Sequence, residues 1–469
     1  MKNMFGINKE LKIHFIGIGG IGMSGIAEVL HNLGYQISGS DLSVNANVEK
    51  LKEKGIEVFK GHHKKNISDV QLVVYSSAVT FDNPEIIEAK NNKIPIVKRA
   101  EMLAELMRLK YGIAIAGSHG KTTTTSFVST IFKKMNKKPT CIVGGIVKNL
   151  GAQALKGDSE YLIAEADESD GSFLYLNPIM SVITNIDNDH LDYYQNEENI
   201  KKAFVEFSNK IPFYGCISIN ANDKNSAQII KNIRRPYITY AINTKEIYID
   251  EVDYLAKNIV HKEQASYFTL QHENKEFTVE ITLSGDHNIQ NALAAISVSH
   301  QVGLELKDIC EAISSFEGVG RRFESLYSDD NLVIIDDYGH HPTEIRATIN
   351  TAKVKYKDRK FIAIFEPHRF TRTKEFWQEF VDSFEGIDEV YIAPIYAASE
   401  VPIQYIDSEV LVKNIREKYN NAFYLSRWDD VIEIIEKNKQ DKTVIVSMGA
   451  GSISRIMREK VTEWINSKS

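Results

Sequence analysis

The stretch GSHGKTT, at residues 117–123, follows an apolar run at 113–116 and precedes a threonine-rich helical pattern. In a strand–loop–helix of this kind, backbone N–H groups wrap a triphosphate, and the lysine, here Lys121, sits on its β- and γ-oxygens. The hydroxyl of Thr122 can then ligate Mg²⁺. The glycine spacing is shorter than in GxxxxGK(S/T), but the context is the same. The stretch predicts an ATP site that comprises Gly117, Ser118, His119, Gly120, Lys121, Thr122 and Thr123.

Another glycine-rich loop, GIGGIG at residues 17–22, comes first in the chain and is called the first glycine loop. It lies between a predicted strand at 11–18 and a predicted helix at 23–33. Its glycines can admit a diphosphate close to the backbone, and the helix N-terminus favours the negative charge. The motif alone does not distinguish NAD from another nucleotide diphosphate such as a UDP-sugar. A glycine turn that only packs a strand on a helix is the structural alternative. The residues predicted to meet the diphosphate ligand are Gly17, Gly19, Gly20, Gly22 and Asp41.

Acidic residues follow the apolar run at 161–164. Glu165 comes first, and a carboxylate at the carboxyl end of a strand beside a phosphate loop is well placed for Mg²⁺. We prefer Glu165 because the strand directs it, whereas an acidic run more often solvates a loop. The other members of the run are Asp167, Glu168 and Asp170.

His190 closes the stretch NIDNDH at residues 185–190, which follows another apolar run. An imidazole beside phosphate could bind a second metal ion or the γ-phosphate. A lone histidine is more often only a hydrogen-bonded residue. Its position after a strand end makes His190 a candidate for the site.

Length and composition exclude several classes of protein. At about 100–200 residues per domain, 469 residues predict roughly two to four domains. The net charge of -7 offers no broad attraction to nucleic acid or anionic lipid. No run approaches the ~20 apolar residues of a membrane span, and three separated cysteines favour a reducing compartment. We therefore expect a cytoplasmic protein with no nucleic-acid or membrane partner.

Short apolar runs alternate with helical patterns along the chain. This alternation predicts an α/β protein with parallel, doubly wound sheets. The segment 217–282 is richer in alternating strand patterns, which suggests an insertion or an added small sheet. Three domains are predicted, at residues 1–108, 109–322 and 323–469.

Together these stretches resemble the Mur ligase family, whose members form amide bonds with ATP in peptidoglycan precursor synthesis. The resemblance implies a Rossmann-like UDP-sugar domain, a central P-loop ATPase-type domain and a C-terminal Rossmann-like α/β domain that receives an amino acid. It also implies ATP and Mg²⁺ as cofactors. The features that carry it are GSHGKTT, Glu165, NIDNDH, HNIQN at residues 287–291, and the pair Arg322 and Asp337.

The resemblance also implies roles for individual residues. The catalytic residues would be Lys121, Glu165 and His190, and the metal ligands would be Thr122, Glu165 and His190. Further contacts to ATP would come from Asn288, Asn291, Arg322 and Asp337. Ser77 and Arg99 would join the first glycine loop in binding the UDP-sugar. The amino-acid pocket would be formed by Tyr338, His368, Arg369 and Arg372.

Two C-terminal stretches bear on the substrates: DDYGHHPTE at residues 336–344 and PHRFTR at 367–372. Within the resemblance they imply that L-alanine is joined to the lactyl carboxylate of UDP-N-acetylmuramate through an acyl phosphate. An arginine fork can bind an amino-acid carboxylate bidentately, although an exposed helix face is the alternative for Arg369 and Arg372. We expect a monomer or a weak dimer.

Other functions remain open at this point. A recycling ligase of the same family would join a tripeptide to UDP-N-acetylmuramate. An NAD-dependent dehydrogenase would use the first glycine loop but would leave residues 117–123 and Glu165 without purpose. A nucleotide-binding regulatory protein without turnover would leave the carboxylates and the histidine beside the loop unexplained.

Overall fold

A computed structural model of the chain describes residues 11–76, 78–147, 152–155, 157–262, 265–398 and 400–467. Within them the strands form three sheets, and the chain folds as two compact units. The first unit is the chain up to Ile259 with Phe268–Ile281 and Asn288–Glu317. The second is Val260–Tyr267, Thr282–His287 and the chain from Gly318.

The amino-terminal part is a five-stranded parallel sheet flanked by helices. Its strands are β1 (Lys12–Ile16), β2 (Gln36–Asp41), β3 (Glu57–Lys60), β4 (Leu72–Tyr75) and β5 (Ile96–Lys98). Its helices are α1 (Ile21–Asn32), α2 (Ala46–Glu53), α3 (Pro84–Asn91) and α4 (Arg99–Arg108). The strand order β3-β2-β1-β4-β5 reverses direction between β1 and β4. Ligands of doubly wound sheets bind at such a point, outside the carboxyl ends of the strands.

The central part is a ten-stranded sheet. Its strands are β6 (Tyr111–Ala116), β7 (Thr140–Val147), β8 (Ala152–Leu155), β9 (Tyr161–Glu165), β10 (Met180–Ile183), β11 (Cys216–Asn220), β12 (Tyr237–Ile242), β13 (Tyr254–His261), β14 (Ser266–His272) and β15 (Lys275–Ile281). Its helices are α5 (Lys121–Lys134), α6 (Leu191–Tyr194), α7 (Glu197–Asn209), α8 (Lys224–Ile229), α9 (Asp286–Gln301) and α10 (Leu306–Ile313). The strand order is β15-β14-β13-β12-β11-β10-β6-β9-β7-β8.

The segment expected to be an insertion or an added small sheet extends the central sheet instead. Strand β13 pairs in parallel with β12, and β14 and β15 follow it outward. An alternating pattern predicts half-buried strands but does not say which sheet edge they pair with. Here β13 pairs with the edge of the central sheet that β12 would otherwise leave open.

The carboxyl-terminal part is a six-stranded sheet. Its strands are β16 (Glu324–Ser328), β17 (Leu332–Asp337), β18 (Lys360–Phe365), β19 (Glu389–Ile392), β20 (Ala422–Tyr424) and β21 (Thr443–Met448). Its helices are α11 (Pro342–Lys355), α12 (Phe370–Glu375), α13 (Trp377–Asp382), α14 (Ser408–Tyr419), α15 (Asp430–Asn438) and α16 (Ile453–Asn466). The order is β16-β17-β21-β18-β19-β20, with only β16 antiparallel.

The predicted α/β class with parallel sheets is confirmed. The strands at the centre of each sheet are buried on both faces, as the apolar runs indicated. The domain boundaries at residues 108 and 322 stay predictions. Among the helices that the structure describes, none combines the length and the apolar character needed to cross a bilayer.

Candidate functional site

The loop between β6 and α5 has a backbone that requires glycine. Gly117 and Gly120 have φ angles of 130° and 84°, in the region that side chains avoid. A Cβ on Gly117 would overlap the hydroxyl oxygen of Thr184, and one on Gly120 would overlap the carboxamide oxygen of Asn291. The loop therefore packs directly on Thr184 and Asn291, and its conformation depends on both glycines.

The residues after β10 hold this loop in shape. Ser118 donates its backbone N–H to the carbonyl oxygen of Asn185 at 3.0 Å. The Asn185 carboxamide exchanges two hydrogen bonds with the backbone of His119, at 2.9 and 3.0 Å. Asp187 donates its N–H to the Ser118 hydroxyl, and its carboxylate lies 3.0 Å from His119 Nε2. The NIDNDH stretch thus positions the glycine loop, a role that the sequence interpretation did not assign to it.

Lys121 lies at the first position of α5 and turns back over the loop. Its Nζ donates to the carbonyl oxygens of Gly117 and Ser118 at 2.6 and 3.1 Å, and to Glu168 at 2.9 Å. Burial alone would lower the pKa of Lys121, but nearby carboxylates, Glu168 foremost, raise it overall. Lys121 therefore stays charged beside the loop that would hold the triphosphate.

Glu168 is the residue of the acidic run that the sequence interpretation undervalued. Its side chain is 2% exposed, and both carboxylate oxygens lie within 2.9 Å of Lys121 Nζ. Burial raises the pKa of Glu168 to about 7, although Lys121 opposes the rise. A carboxylate with such a pKa can hold or release a proton near neutral pH. A run of four acidic residues contains no signal that singles out this one.

His190 and Glu165 lie near the same ion pair. His190 has a left-handed backbone, with φ 61°, and its Nε2 is 3.6 Å from Glu168 and 3.4 Å from the buried Asp189. Glu165 ends β9 and pairs with Ile115 of β6, two residues before the glycine loop. The structure thus brings both predicted residues to the loop, and their roles as metal ligands stay predictions.

Helix α9 packs its asparagines close to the loop. Asn291 is 7% exposed, accepts a hydrogen bond from Thr124 at 3.3 Å and lies against Gly120. Asn288 is 6% exposed and precedes it by three positions, on the same helix face. Their predicted contacts with ATP stay predictions.

Substituting Gly117 by alanine should disrupt this loop. The new Cβ would overlap Thr184 and stand 3.0 Å from the carbonyl oxygen of Asn185. We expect a loss of about 1–3 kcal/mol in the free energy of unfolding and an ATP affinity at least about tenfold weaker, measured by urea titration and calorimetry. Gly55→Ala is the control, because Gly55 also has a positive φ but has nothing within 4 Å of its added Cβ. Equal ATP affinities in the two variants would contradict the prediction.

The first glycine loop is fastened to the end of β2. Gly17 donates its N–H to the carbonyl oxygen of Ser40 at 2.8 Å, and Gly19 donates to the carboxylate of Asp41 at 2.8 Å. Asn45 returns a bond to the carbonyl oxygen of Gly19 at 3.1 Å. Asp41 therefore shapes the loop as well as standing beside it. Of the other predicted residues here, Ser77 lies outside the described residues.

Arg99 connects the first sheet with the acidic run. Its Nη2 lies 3.2 Å from Asp167 Oδ2, and a Cβ on Gly22 would stand 3.0 Å from its Nη1. Burial acts to raise the pKa of Asp167, but Arg99 and Lys121 hold it below its usual range. Arg99 thus contacts both the first glycine loop and the acidic run. The acidic run in turn pairs with Lys121 of the loop at residues 117–123, which we call the ATP loop.

A buried polar cluster lies under the first glycine loop and was missed by the sequence interpretation. Glu85 is fully buried and accepts hydrogen bonds from the Ser40 hydroxyl and the Asn66 amide, each at 2.6 Å. His62 Nδ1 is 3.2 Å and His14 Nε2 is 3.7 Å from the same carboxylate. Burial acts to raise the pKa of Glu85, but these partners lower it overall. Because the Ser40 carbonyl holds the loop, the cluster supports the base of that loop.

In the second unit, Asp337 organises the backbone around it. It is 7% exposed and accepts bonds from the N–H groups of Phe323 and Gly339 and from the Thr348 hydroxyl, at 2.8, 2.8 and 2.9 Å. Burial raises the pKa of Asp337, and the charge of Arg322 opposes the rise. The predicted contact of Asp337 with ATP is untested, and the carboxylate already has a structural role.

The predicted amino-acid pocket is a cluster of rings and guanidinium groups. Arg321 and Arg322 lie over the Tyr338 ring, with 4.7 and 5.0 Å between guanidinium carbon and ring centroid. His368 stacks on Tyr396 with 5.4 Å between the centroids. The Nδ1 atom of His368 is buried and has no hydrogen-bond partner among the described residues. Such an atom is a candidate for contact with a ligand.

Arg369 and Arg372 differ in their surroundings. Arg369 has a φ of 73°, and its Nε donates to Glu400 at 2.6 Å. Glu400 also accepts the N–H and the hydroxyl of Thr371. Arg372 is 9% exposed, so its guanidinium lies inside the unit. The pairing of Arg369 with Glu400 was not predicted, because the two residues are 31 positions apart and no local pattern links them.

Three consecutive parts of the chain match profiles of one family. Residues 12–111 match its "catalytic domain", 115–299 its "middle domain" and 321–451 its "glutamate ligase domain". The chain belongs to the Mur ligase family. This Mur ligase shares its fold with a UDP-N-acetylmuramate-alanine ligase of Thermotoga maritima, with 28% identity, a TM-score of 0.82 and coverage of 98% of this chain and 100% of the other.

Curated relatives are more similar in sequence. The Mur ligase is 47% identical to the UDP-N-acetylmuramate–L-alanine ligase of Brachyspira hyodysenteriae, across 97% of this chain and 98% of the relative. It is 44% identical to the protein of the same name from Aquifex aeolicus, across 96% and 97%. A murein peptide ligase of Psychrobacter arcticus, 24% identical with a TM-score of 0.71, covers 97% of this chain and 99% of its own and supports the fold alone.

The Mur ligase should keep His368 neutral well below neutral pH. Burial and the charges of Arg372 and Arg369 lower the pKa of His368 to about 4. A histidine whose folded pKa lies below its unfolded value of about 6.5 stabilises the fold above that pH, and the contribution is lost as the pH falls toward 4. We expect NMR titration to place the His368 pKa near 4. We also expect the stability difference between wild type and His368→Asn to shrink from pH 7 to pH 4.

Arg369→Gln is the companion variant for that titration. It removes a nearby cation and leaves the Glu400 carboxylate, so the pKa of His368 should rise. A pKa near 6.5 in the wild type, or one unaffected by Arg369→Gln, would refute this account of the pocket.

Proposed function

We propose that this Mur ligase joins L-alanine to the lactyl carboxylate of UDP-N-acetylmuramate, giving UDP-N-acetylmuramoyl-L-alanine, ADP and phosphate, in peptidoglycan precursor synthesis. The observation that carries the proposal is Lys121, held in charged form at the glycine loop by the buried Glu168. The names of relatives that align along nearly the whole chain support the choice of substrates.

The chemistry starts from the carboxylate, which is a poor electrophile. One of its oxygens attacks the γ-phosphorus of ATP, ADP leaves, and an acyl phosphate results. Lys121 would neutralise charge on the moving phosphoryl group, and the N–H groups of residues 120–123, at the start of α5, would hold the phosphate chain. The amine then attacks the acyl carbon, phosphate leaves and the surplus amine proton passes to a base or to water.

The protein needs no covalent nucleophile for these steps. The three cysteines are free and buried, and burial raises the pKa of Cys141 to about 12. A thiol with such a pKa is not ionised at neutral pH and is inert. The acidic and basic groups at the loop are therefore the ones that act on the substrates.

The donors at the loop fit Mg²⁺. Thr122 and Glu165 supply a hydroxyl and a carboxylate, and this ion prefers oxygen ligands. We assign these two residues to Mg²⁺, which would neutralise the phosphate oxygens when bound. His190 offers nitrogen, which Mg²⁺ takes less readily, so a hydrogen bond to Glu168 or to phosphate is the alternative role for it.

We assign the UDP-sugar to the first glycine loop, and L-alanine to the cluster of rings and guanidinium groups in the second unit. The diphosphate of the UDP-sugar would bind the N–H groups of residues 21 and 22, at the start of α1 and beside Arg99. The carboxylate of L-alanine would bind Arg372 and Arg369, with Glu400 fixing the direction of the Arg369 guanidinium. Tyr338 and His368 would bound the space for the small methyl side chain.

The test is phosphate release by the purified chain with Mg²⁺–ATP and UDP-N-acetylmuramate, comparing L-alanine, glycine, L-serine and the tripeptide. We expect release to require the UDP-sugar and to be fastest with L-alanine. Release with the tripeptide only would assign the chain to the recycling reaction. In a separate assay with NAD⁺ added, NADH formation with a hydroxy substrate, together with no phosphate release in the first assay, would favour the dehydrogenase alternative.

A further inference from the structure

A basic cavity lies at the amino ends of the parallel strands of the central sheet, whereas the ATP loop lies at their carboxyl ends. Strands β6, β10, β11 and β12 are parallel, and the ATP loop follows the carboxyl end of β6. The cavity, of about 490 Å³, lies before the amino end of β12. It is lined by Val205, Asn209, Lys231, Asn232, Arg234 and Arg235. The cavity lining contains no residue of the loops at 17–22 and 117–123.

Asn209, the last residue of α7, holds the chain segment that lines the cavity. Asn209 accepts the N–H of Arg234 at 2.8 Å and donates to the carbonyl oxygen of Asn232 at 3.2 Å. Arg235 Nε donates to the carbonyl oxygen of Asn209 at 3.2 Å. Three cations therefore converge on one cavity whose lining contains no acidic residue, in a chain of net charge -7. The side chains of Lys231 and Arg234 are exposed to solvent.

Two exposed aromatic rings also lie at the amino ends of these strands. Phe213 and Tyr214 are 81% and 65% exposed and contact each other edge to face, with 5.2 Å between their centroids. They belong to the turn before β11, and Ile217 N–H donates to the carbonyl oxygen of Pro236, the residue after Arg235. Exposed aromatic rings at the same end of the sheet as a group of cations are candidates for contact with a ligand.

We propose that this cavity binds a phosphate-bearing anion. Arginine and lysine together offer the donors and the charge that a phosphate group requires, and the volume is in the range of about 300–1,000 Å³ of small-molecule sites. Two sources have this chemistry: a soluble phosphorylated compound, whose organic part would contact Phe213 and Tyr214, and the headgroup of an anionic lipid, in which the rings would enter the membrane interface.

The first experiment measures inorganic pyrophosphate binding to the full chain by calorimetry. The test variant is Lys231→Ala with Arg234→Ala, because both side chains are exposed. The control is Lys134→Ala with Lys137→Ala, which removes the same charge near the C-terminal end of α5, at the same end of the sheet. Wild type, the test variant and the control variant all keep the ATP loop, so any pyrophosphate that binds there should bind equally to all three. We expect the test variant alone to lose one site, or to weaken it by at least about tenfold.

The second experiment is sedimentation with phosphatidylglycerol or phosphatidylcholine vesicles. Binding to the anionic vesicles only, lost in the test variant and in Phe213→Ser with Tyr214→Ser, assigns the cavity to a lipid headgroup. Pyrophosphate binding without vesicle binding assigns it to a soluble anion. The proposal is overturned if the test variant matches wild type in both assays, or if the control variant loses as much. ATP-dependent phosphate release should be the same in all these proteins.

Discussion

Replacement of Lys121 by alanine should lower the rate of ATP-dependent phosphate release by at least about 10²–10³-fold, the cost of removing one positioned charge from a transition state. Lys121 is the charged donor whose Nζ lies over the glycine loop, bonded to the carbonyl oxygens of Gly117 and Ser118. Without it, the moving phosphoryl group would lose the ammonium charge at the loop. Steady-state phosphate release with all three substrates measures the effect.

Two further variants make this result interpretable. Lys134→Ala changes the same residue type at the other end of α5, where the side chain is exposed, and should keep wild-type activity. Glu168→Gln keeps Lys121 but removes the charge that pairs with it, so it separates loss of the ammonium from loss of its partner. Activity above about a tenth of wild type in Lys121→Ala would exclude the assigned role.

Asp337→Ala should have the largest effect on stability, about 3–5 kcal/mol in the free energy of unfolding of the second unit. The change leaves the N–H groups of Phe323 and Gly339 and the hydroxyl of Thr348 without their buried acceptor. All three tryptophans, Trp377, Trp428 and Trp464, belong to this unit, so their fluorescence in urea reports on it directly.

The matched control for this prediction is Asp330→Ala. Asp330 lies in the same unit and is exposed, so its removal should change the free energy of unfolding by no more than about 0.5 kcal/mol. If Asp337→Ala unfolds like wild type but loses affinity for ATP, the carboxylate serves the nucleotide and not the fold. If it unfolds early, the structural role described above is the dominant one.

Local features of the sequence predicted the parts of the site that depend on adjacent residues. The GSHGKTT loop was predictable because strand, glycines, lysine and helix follow one another without interruption. The same holds for the GIGGIG loop and for the carboxyl-end position of Glu165. A search for strands ending in acidic residues could equally have flagged Asp187, which lies beyond the strand next to β6.

The partners of these residues were not predictable in the same way. Glu168 is 47 positions from Lys121, and Glu400 is 31 positions from Arg369. Asp167 was grouped with a solvated acidic run, yet it pairs with Arg99 across 68 positions. Charged residues are frequent on protein surfaces, so a single sequence does not say which two of them meet.

By itself, the sequence determined the α/β class, the two glycine loops and the residue types available for phosphate, because backbone conformation and hydrophobic periodicity are local properties. The tertiary structure decided which carboxylate pairs with Lys121, that β13 to β15 extend the central sheet, and that Asp337 accepts the N–H group of Phe323 within its own unit. The reason is physical: ion pairs, buried hydrogen bonds and sheet edges depend on distances between segments remote in the chain, and these exist only after the chain has folded.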